Sequence, residues 1–142
     1  MGKDMNRPIY ETKADVANEE AVARLITEAR GYMMVKLPRL NQMDYAAFTT
    51  DGLKALIEIK CRRNTMAKYD SMMIGMEKVL HARQVNKHFG VKSYLFVQWT
   101  DQLGYVCLED DCTIDMGGRT DRNDPNDMSL HAYFDIDKFR GL

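Results

Sequence analysis

Within the stretch Leu53–Arg63, LKALIEIKCRR, an acid and an amine, Glu58 and Lys60, stand two residues apart in an otherwise apolar run. Ala55, Leu56, Ile57 and Ile59 give that run the short, partly β-branched character of a buried strand. Side chains alternate across a strand, so Glu58 and Lys60 share one face, while Ile57, Ile59 and Cys61 share the other. Buried charges are costly unless they are paired or hold a metal. A second acid, Asp44, lies upstream on another candidate strand, MDYAAF. The chemistry open to this set is ion pairing or the binding of a cation by two carboxylates, with an amine alongside. Taken singly, Glu58 and Lys60 also suit a solvated edge strand, and Asp44 suits a turn.

The surrounding elements must bring these residues together. Thr12 or Asp15 can cap a helix reaching about Arg30, with Val22, Leu25, Ile26 and Ala29 on its buried face and Gly31 ending it. Glu19 falls at the edge of that face, and Glu20 points toward solvent. Tyr32–Leu37, Asp44–Thr50 and Leu53–Cys61 read as three strands. The Asp51-Gly52 turn predicts that the last two form an antiparallel hairpin, which brings Asp44 and Glu58 toward one end. After a polar loop, Arg62–Lys68, the spacing of Met72, Met76, Val79, Leu80 and Arg83 predicts a helix over Tyr69–His88, closed by Gly90. Ser93–Trp99 reads as a central strand and Tyr105–Leu108 as its return. Residues 109–130, including GGRTDRNDPND, read as a long polar loop, and His131–Phe139 as a final edge strand. Helix, three strands, helix, two strands is an α/β order.

Composition bounds the rest. With 142 residues, 45% hydrophobic and 29% charged, the chain has the make-up of one globular domain, and residues 1–8 read as a loose leader. A net charge of −1 excludes global attraction to polyanions, so a nucleic-acid partner must meet a local basic patch. Three cysteines, Cys61, Cys107 and Cys112, do not make a disulfide framework or a zinc site and read as reduced thiols of a cytosolic protein. No apolar run reaches the length of a membrane span, and no signal peptide is visible. The eleven methionines read as flexible core filler.

An acid on one strand, then Glu-x-Lys on the next, framed by a helix bearing an acid and a second long helix, resembles the PD-(D/E)xK phosphodiesterase superfamily of restriction enzymes, resolvases and phage or repair nucleases. The resemblance runs from about Asp15 to Leu108 and rests on Asp44, Glu58 and Lys60. Met43 stands where the family name places proline. The segments YDSMMIGMEKVLHAR and GGRTDRNDPND also look like phage and bacterial proteins of this superfamily. The resemblance implies a restriction-endonuclease-like α/β core, a mixed central sheet flanked by two main helices, in a single domain spanning 1–142. It implies hydrolysis of phosphodiester bonds in DNA with Mg²⁺, or Mn²⁺, held by Asp44, Glu58 and the main-chain carbonyl of Ile59. Lys60 would orient or help deprotonate the attacking water, and Glu19 would stand in the outer part of the metal site. Tyr69 and Lys78 would touch the phosphate or support Lys60.

Arg62, Arg63 and Lys68 directly follow the motif strand and, with Lys36 and Arg39, could form a basic rim; a solvated loop is the alternative. Arg119 and Arg122 could meet phosphate from the polar loop. Contacts of this kind give affinity without sequence preference, and nothing resembles a base-reading module. A structure-selective or weakly sequence-selective DNA nuclease is therefore the expectation, acting in the cytoplasm of a bacterium or phage-infected host. Small nucleases of this fold pair so that two sites reach two strands, so the resemblance also allows a homodimer. A non-catalytic nucleic-acid-binding or assembly protein that kept the fold is the alternative. A third reading, an unrelated α/β domain, requires Glu58 and Lys60 to be exposed on an edge strand. His81 reads as a surface residue near Lys78, His88 suits a helix end, and His131 has no evident partner.

Overall fold

A computed structural model describes residues 13–38, 41–118 and 128–142. The chain begins with α1 (Lys13–Arg30), then β1 (Met33–Lys36), β2 (Tyr45–Thr49) and β3 (Gly52–Cys61). A 3-10 turn at Met66–Lys68 leads to β4 (Ser71–Gly75), α2 (Met76–Phe89), β5 (Lys92–Gln98) and β6 (Leu103–Cys107). It closes with β7 (Thr113–Gly118), β8 (Met128–Asp135), a second 3-10 turn and β9 (Arg140–Gly141).

The larger sheet has six strands in the order β1-β2-β3-β5-β6-β9. β3 and β5 run parallel and the other pairs antiparallel, so the sheet is mixed, as expected. Gly52, at φ +113°, makes the tight turn between β2 and β3, in a backbone region open to glycine and strained for other residues. The motif strand β3 is central and buried on both faces. On one side Ile57, Ile59 and Phe96 pack under α1 through Val22, Ala23 and Ile26. On the other, Leu95, Val97 and Val106 pack against Val79 and Ala82 of α2 and against a second sheet. The stripe that α1 buries is narrower than its sequence suggests, because Leu25 remains 45% exposed and Ala29 is also exposed.

Three expectations are corrected. Tyr69–His88 is not one helix: Tyr69 lies in a loop, Ser71–Gly75 is the strand β4, and the helix begins at Met76. Met72 and Ile74 alternate with Met73 and Gly75, and pairing of β4 with β8 decides the matter in favour of strand. Residues 109–130 are not all loop, since Thr113–Gly118 forms β7 against β8; Ile114 and Met116 alternate there with Thr113 and Asp115, but all four side chains are exposed, so pairing rather than burial makes the strand. The last strand is not an edge. β8 is the middle strand of a second, antiparallel sheet ordered β4-β8-β7, and it turns Ala132 and Phe134 into the core. Gly90, at φ +68°, caps α2 as the sequence suggests. The leader 1–8 and Arg39, Arg119 and Arg122 lie outside the described residues.

Two core substitutions separate packing from polar burial. Phe134, fully buried in β8, is expected to cost about 3–5 kcal/mol when changed to Ala. Ser93 is also fully buried, on the α2 side of β5, and its hydroxyl has no partner among the described residues. Ser93→Ala is therefore expected to leave stability unchanged or raise it by up to about 1 kcal/mol. Urea unfolding followed by circular dichroism checks both. A loss on Ser93→Ala comparable to that of Phe134→Ala would contradict the burial assignment.

Candidate active site

The β2–β3 hairpin builds the site from its open end. β2 stops at Tyr45, opposite Ile57, so the edge of β3 beyond Ile57 has no strand partner there. Asp44 fills that gap. Its own N–H donates to the Ile57 carbonyl at 3.0 Å, and its Oδ2 accepts the Ile59 N–H at 2.8 Å. A side chain thus replaces the next rung of the ladder and fixes a carboxylate beside Glu58. The N–H and C=O of one residue point to the same side of an antiparallel pair. The Ile59 carbonyl consequently faces the same open end as Asp44.

Glu58 is 2% exposed and is neutralised from both sides. Lys60 Nζ lies 3.3 Å from Oε2 and Lys78 Nζ lies 3.3 Å from Oε1. Lys78, in the first turn of α2, also donates to the Gln42 carbonyl at 2.6 Å. The side chain of Lys60 is 33% exposed, so one of the two amines reaches the mouth of the site while Lys78 lies deeper. The α1 side contributes Glu19, a buried acid bonded to Lys36 Nζ, which also lies 5.1 Å from the centroid of the Tyr45 ring. The structure therefore groups Asp44, Glu58, Lys60, Glu19 and Lys78, and rejects the exposed-edge-strand reading. The sequence did not single out Gln42 and Tyr45 as supports. Lys36, assigned there to a basic rim, instead pairs with Glu19.

The remaining candidates lie apart from this group. The Arg62 N–H donates to the Gln98 carbonyl, and burial pulls its guanidinium below its ordinary pKa. Arg63 and Lys68 are exposed on the loop after β3, with Lys68 Nζ 5.4 Å from the centroid of the Tyr69 ring. Tyr69 is 58% exposed. His81 is half-buried, and burial and the nearby Lys78 charge hold its pKa down. His131 Nδ1 has a partner after all, the Ser129 carbonyl at 2.9 Å.

The electrostatics concentrate strain on the carboxylates. Burial raises the pKa of Glu58, with the charge of Asp44 acting the same way and Lys60 and Lys78 opposing. Burial likewise raises Asp44, with Glu19 adding to the effect and the Ile59 N–H, Lys60 and Lys36 opposing. A crowded set of oxygen donors that resists ionisation is suited to a hard divalent cation, which would relieve its negative charge. Among the described residues no three His, Cys, Asp or Glu side chains converge on one point. Such a cation would thus take its protein ligands from Asp44, Glu58 and a main-chain oxygen, and keep several waters. The donor set fits that demand.

A pH prediction follows with a fixed sign. The folded chain binds the Asp44 and Glu58 protons more tightly than the unfolded chain, so stability is lost as pH rises from the ordinary carboxylate range through the raised values. Asp44→Asn removes one of these carboxylates and keeps an oxygen acceptor for the Ile59 N–H. In chelator at pH 7 it is expected to raise the midpoint of thermal unfolding by about 2–4 °C, the shift that ~1 kcal/mol gives at this chain length. The advantage should vanish toward pH 3. An unfolding midpoint below wild type at every pH would show that Asp44 carries no such cost.

Comparisons with known proteins bear on the family and the fold. The sequence profile of the phage putative PDDEXK endonuclease family matches residues 5–142. No curated protein matches the chain in sequence. Among solved structures, the chain is similar to Hjc, a Holliday junction resolvase from the archaeal hyperthermophile Archaeoglobus fulgidus, with a TM-score of 0.60 at 12% identity over 89% of this chain and 90% of that one. That likeness carries the fold, a restriction-endonuclease-like mixed sheet between two main helices. With the profile covering nearly all of its length, the chain belongs to the phage putative PD-(D/E)xK endonuclease family, a family of nucleases.

Proposed function

We propose that the chain is a divalent-metal-dependent DNA endonuclease that selects its substrate by structure or only weakly by sequence. The observation that carries this reading is the pinning of Asp44 beside a buried Glu58 at an open strand end, with the Lys60 amine at the mouth. Mg²⁺, or Mn²⁺ in its place, would be held by Asp44, Glu58 and the Ile59 carbonyl, and would supply the Lewis acidity for attack on phosphorus. Lys60 would orient the attacking water and steady negative charge developing on the phosphate. Lys78 is better placed to hold Glu58 in register than to touch DNA, because its amine already serves Glu58 and Gln42. Glu19 would reach the outer part of the metal site, held by Lys36.

DNA would approach over the loop after β3, where Arg63, Lys68 and Tyr69 are exposed, with Arg62 behind them and Arg119 and Arg122 as further phosphate contacts supplied by the segment between β7 and β8. Contacts of this type bind phosphate and do not read bases. The similarity to a Holliday junction resolvase favours branched DNA as the substrate class. A homodimer would place two sites on two strands, in the cytoplasm of a bacterium or phage-infected host. No helix among the described residues is long and apolar enough to cross a membrane.

The test is cleavage of single-stranded, duplex, flap, fork and four-way-junction DNA in Mg²⁺, in Mn²⁺ and in chelator. The wild type is expected to cut in metal alone. Lys60→Ala should lower the rate by about 10²–10⁴-fold. Lys78→Ala should lower it by about 10–100-fold and weaken Mg²⁺ binding measured by calorimetry, as loss of a support to a metal ligand does. A folded wild type that shifts DNA on a gel but cuts nothing in either metal would transfer the reading to a non-catalytic nucleic-acid-binding protein of the same fold.

A further inference from the structure

α1 packs over β3 and β1 and helps bury Phe96 of β5, while Tyr94 of β5 and Tyr105 of β6, on the same face of the sheet, stay only partly buried. That surface is aromatic. Tyr105 stacks on Phe96 with ring centroids 5.2 Å apart and meets Tyr94 edge-on at 6.1 Å. The Arg30 guanidinium, from the end of α1, lies 4.9 Å from the Tyr105 ring centroid. Tyr32 completes a cavity of about 100 Å³ with these residues. Tyr94 and Tyr105 also line a second cavity of about 280 Å³, so the tyrosine pair is a wall common to both.

The second cavity changes character from aromatic to ionic. Lys92, Lys138 and Arg140 line it, opposed by Glu109 and Asp110. With Arg30 the cleft sets four cations against two carboxylates. One carboxylate oxygen of Glu109 is buried and has no hydrogen-bond partner among the described residues. A buried acceptor without a donor is rare and costly.

We infer that this cleft, on the sheet face opposite Glu58 and Lys60, binds an unpaired stretch of a nucleic-acid strand. Cations along a groove with aromatic rings between them match the two needs of such a strand, charge on its phosphates and a surface for its bases. Arg30 serves both, because a planar guanidinium already laid on a ring offers its outer face to a base. Lys92, Lys138 and Arg140 take phosphates. The inference extends the nuclease reading, since branched DNA carries unpaired segments beside its duplex arms, but it stands on different residues.

Fluorescence anisotropy in chelator, where nothing is cut, tests it. The full chain is titrated with a labelled single-stranded oligonucleotide and with one of the same length carrying abasic sites at its centre. The wild type is expected to bind the intact strand about tenfold more tightly than the abasic one. Arg30→Ala combined with Tyr94→Ala should erase that ratio, whereas Arg24→Ala with Lys87→Ala, which removes two exposed cations elsewhere, should preserve it. If the double cleft variant does not fold, Arg30→Ala alone replaces it and should reduce the ratio. An equal affinity for intact and abasic strands overturns the inference. So does a cleft variant that discriminates as well as wild type, or a concentration-dependent dimer that Arg30→Ala dissociates, which would make a second copy the occupant. Cleavage in Mg²⁺ is read separately: no cutting sinks the nuclease proposal and leaves the cleft standing, while cutting without base-dependent binding does the reverse.

Discussion

The arrangement depends on a carboxylate, Glu58, buried in the central strand of a mixed sheet and balanced by two amines from different elements. Removing a partner from a buried charge costs about 3–5 kcal/mol, because the charge left behind is uncompensated. One amine, Lys60, comes from the same face of the same strand. The other, Lys78, arrives only because α2 starts where β4 ends, which places its first turn above Glu58. The parallel crossover from β3 to β5 carries both β4 and α2. The connection that closes the sheet therefore also closes the ion-pair set.

The second constraint is the length of β2. Had it continued one more rung, the ladder would have consumed the Ile59 N–H and covered the strand end. It stops, Asp44 takes the hydrogen bond with its side chain, and an open corner with two carboxylates and a free-facing carbonyl results. Packed layers on both faces hold that corner rigid. α1 brings Glu19 and its Lys36 partner from one side, and α2 with the second sheet supports the other. A site on strand ends between packed layers keeps its geometry better than one on a loop.

Covering a sheet unequally has a consequence of its own. The second sheet and α2 cover one face of the large sheet, whereas α1 alone serves the other and leaves the Tyr94–Tyr105 region only partly buried. A single layer of strands separates that aromatic, cationic cleft from the carboxylate corner. Both features belong to β3, β5 and their neighbours, so one rigid sheet serves two surfaces.

Much of this was legible in the sequence. The hairpin around Asp51-Gly52, the alternation that puts Glu58 and Lys60 on one face, and the helix ending at Gly31 are local signals, and local periodicity with turn chemistry decides them. Strand alternation put Glu58 and Lys60 on one face without help from the rest of the chain, and the resemblance of this set with Asp44 to the PD-(D/E)xK pattern implied the chemistry. Other features were settled only by contacts between distant segments. Met72 and Met76 fit a helical stripe with Val79 and Leu80, whereas Met72 and Ile74 fit a strand, and pairing with β8, far along the chain, chose strand for Ser71–Gly75. Thr113–Gly118 shows only a short alternation, Ile114 and Met116, before two glycines, and its backbone hydrogen bonds to β8 make it a strand. Lys78 could have faced solvent or phosphate, and its reach to Glu58 and Gln42 is a product of where α2 docks. The sequence determined which groups could do the chemistry; the tertiary structure decided which of them meet, because burial and pairing energies belong to contacts that sequence spacing does not specify.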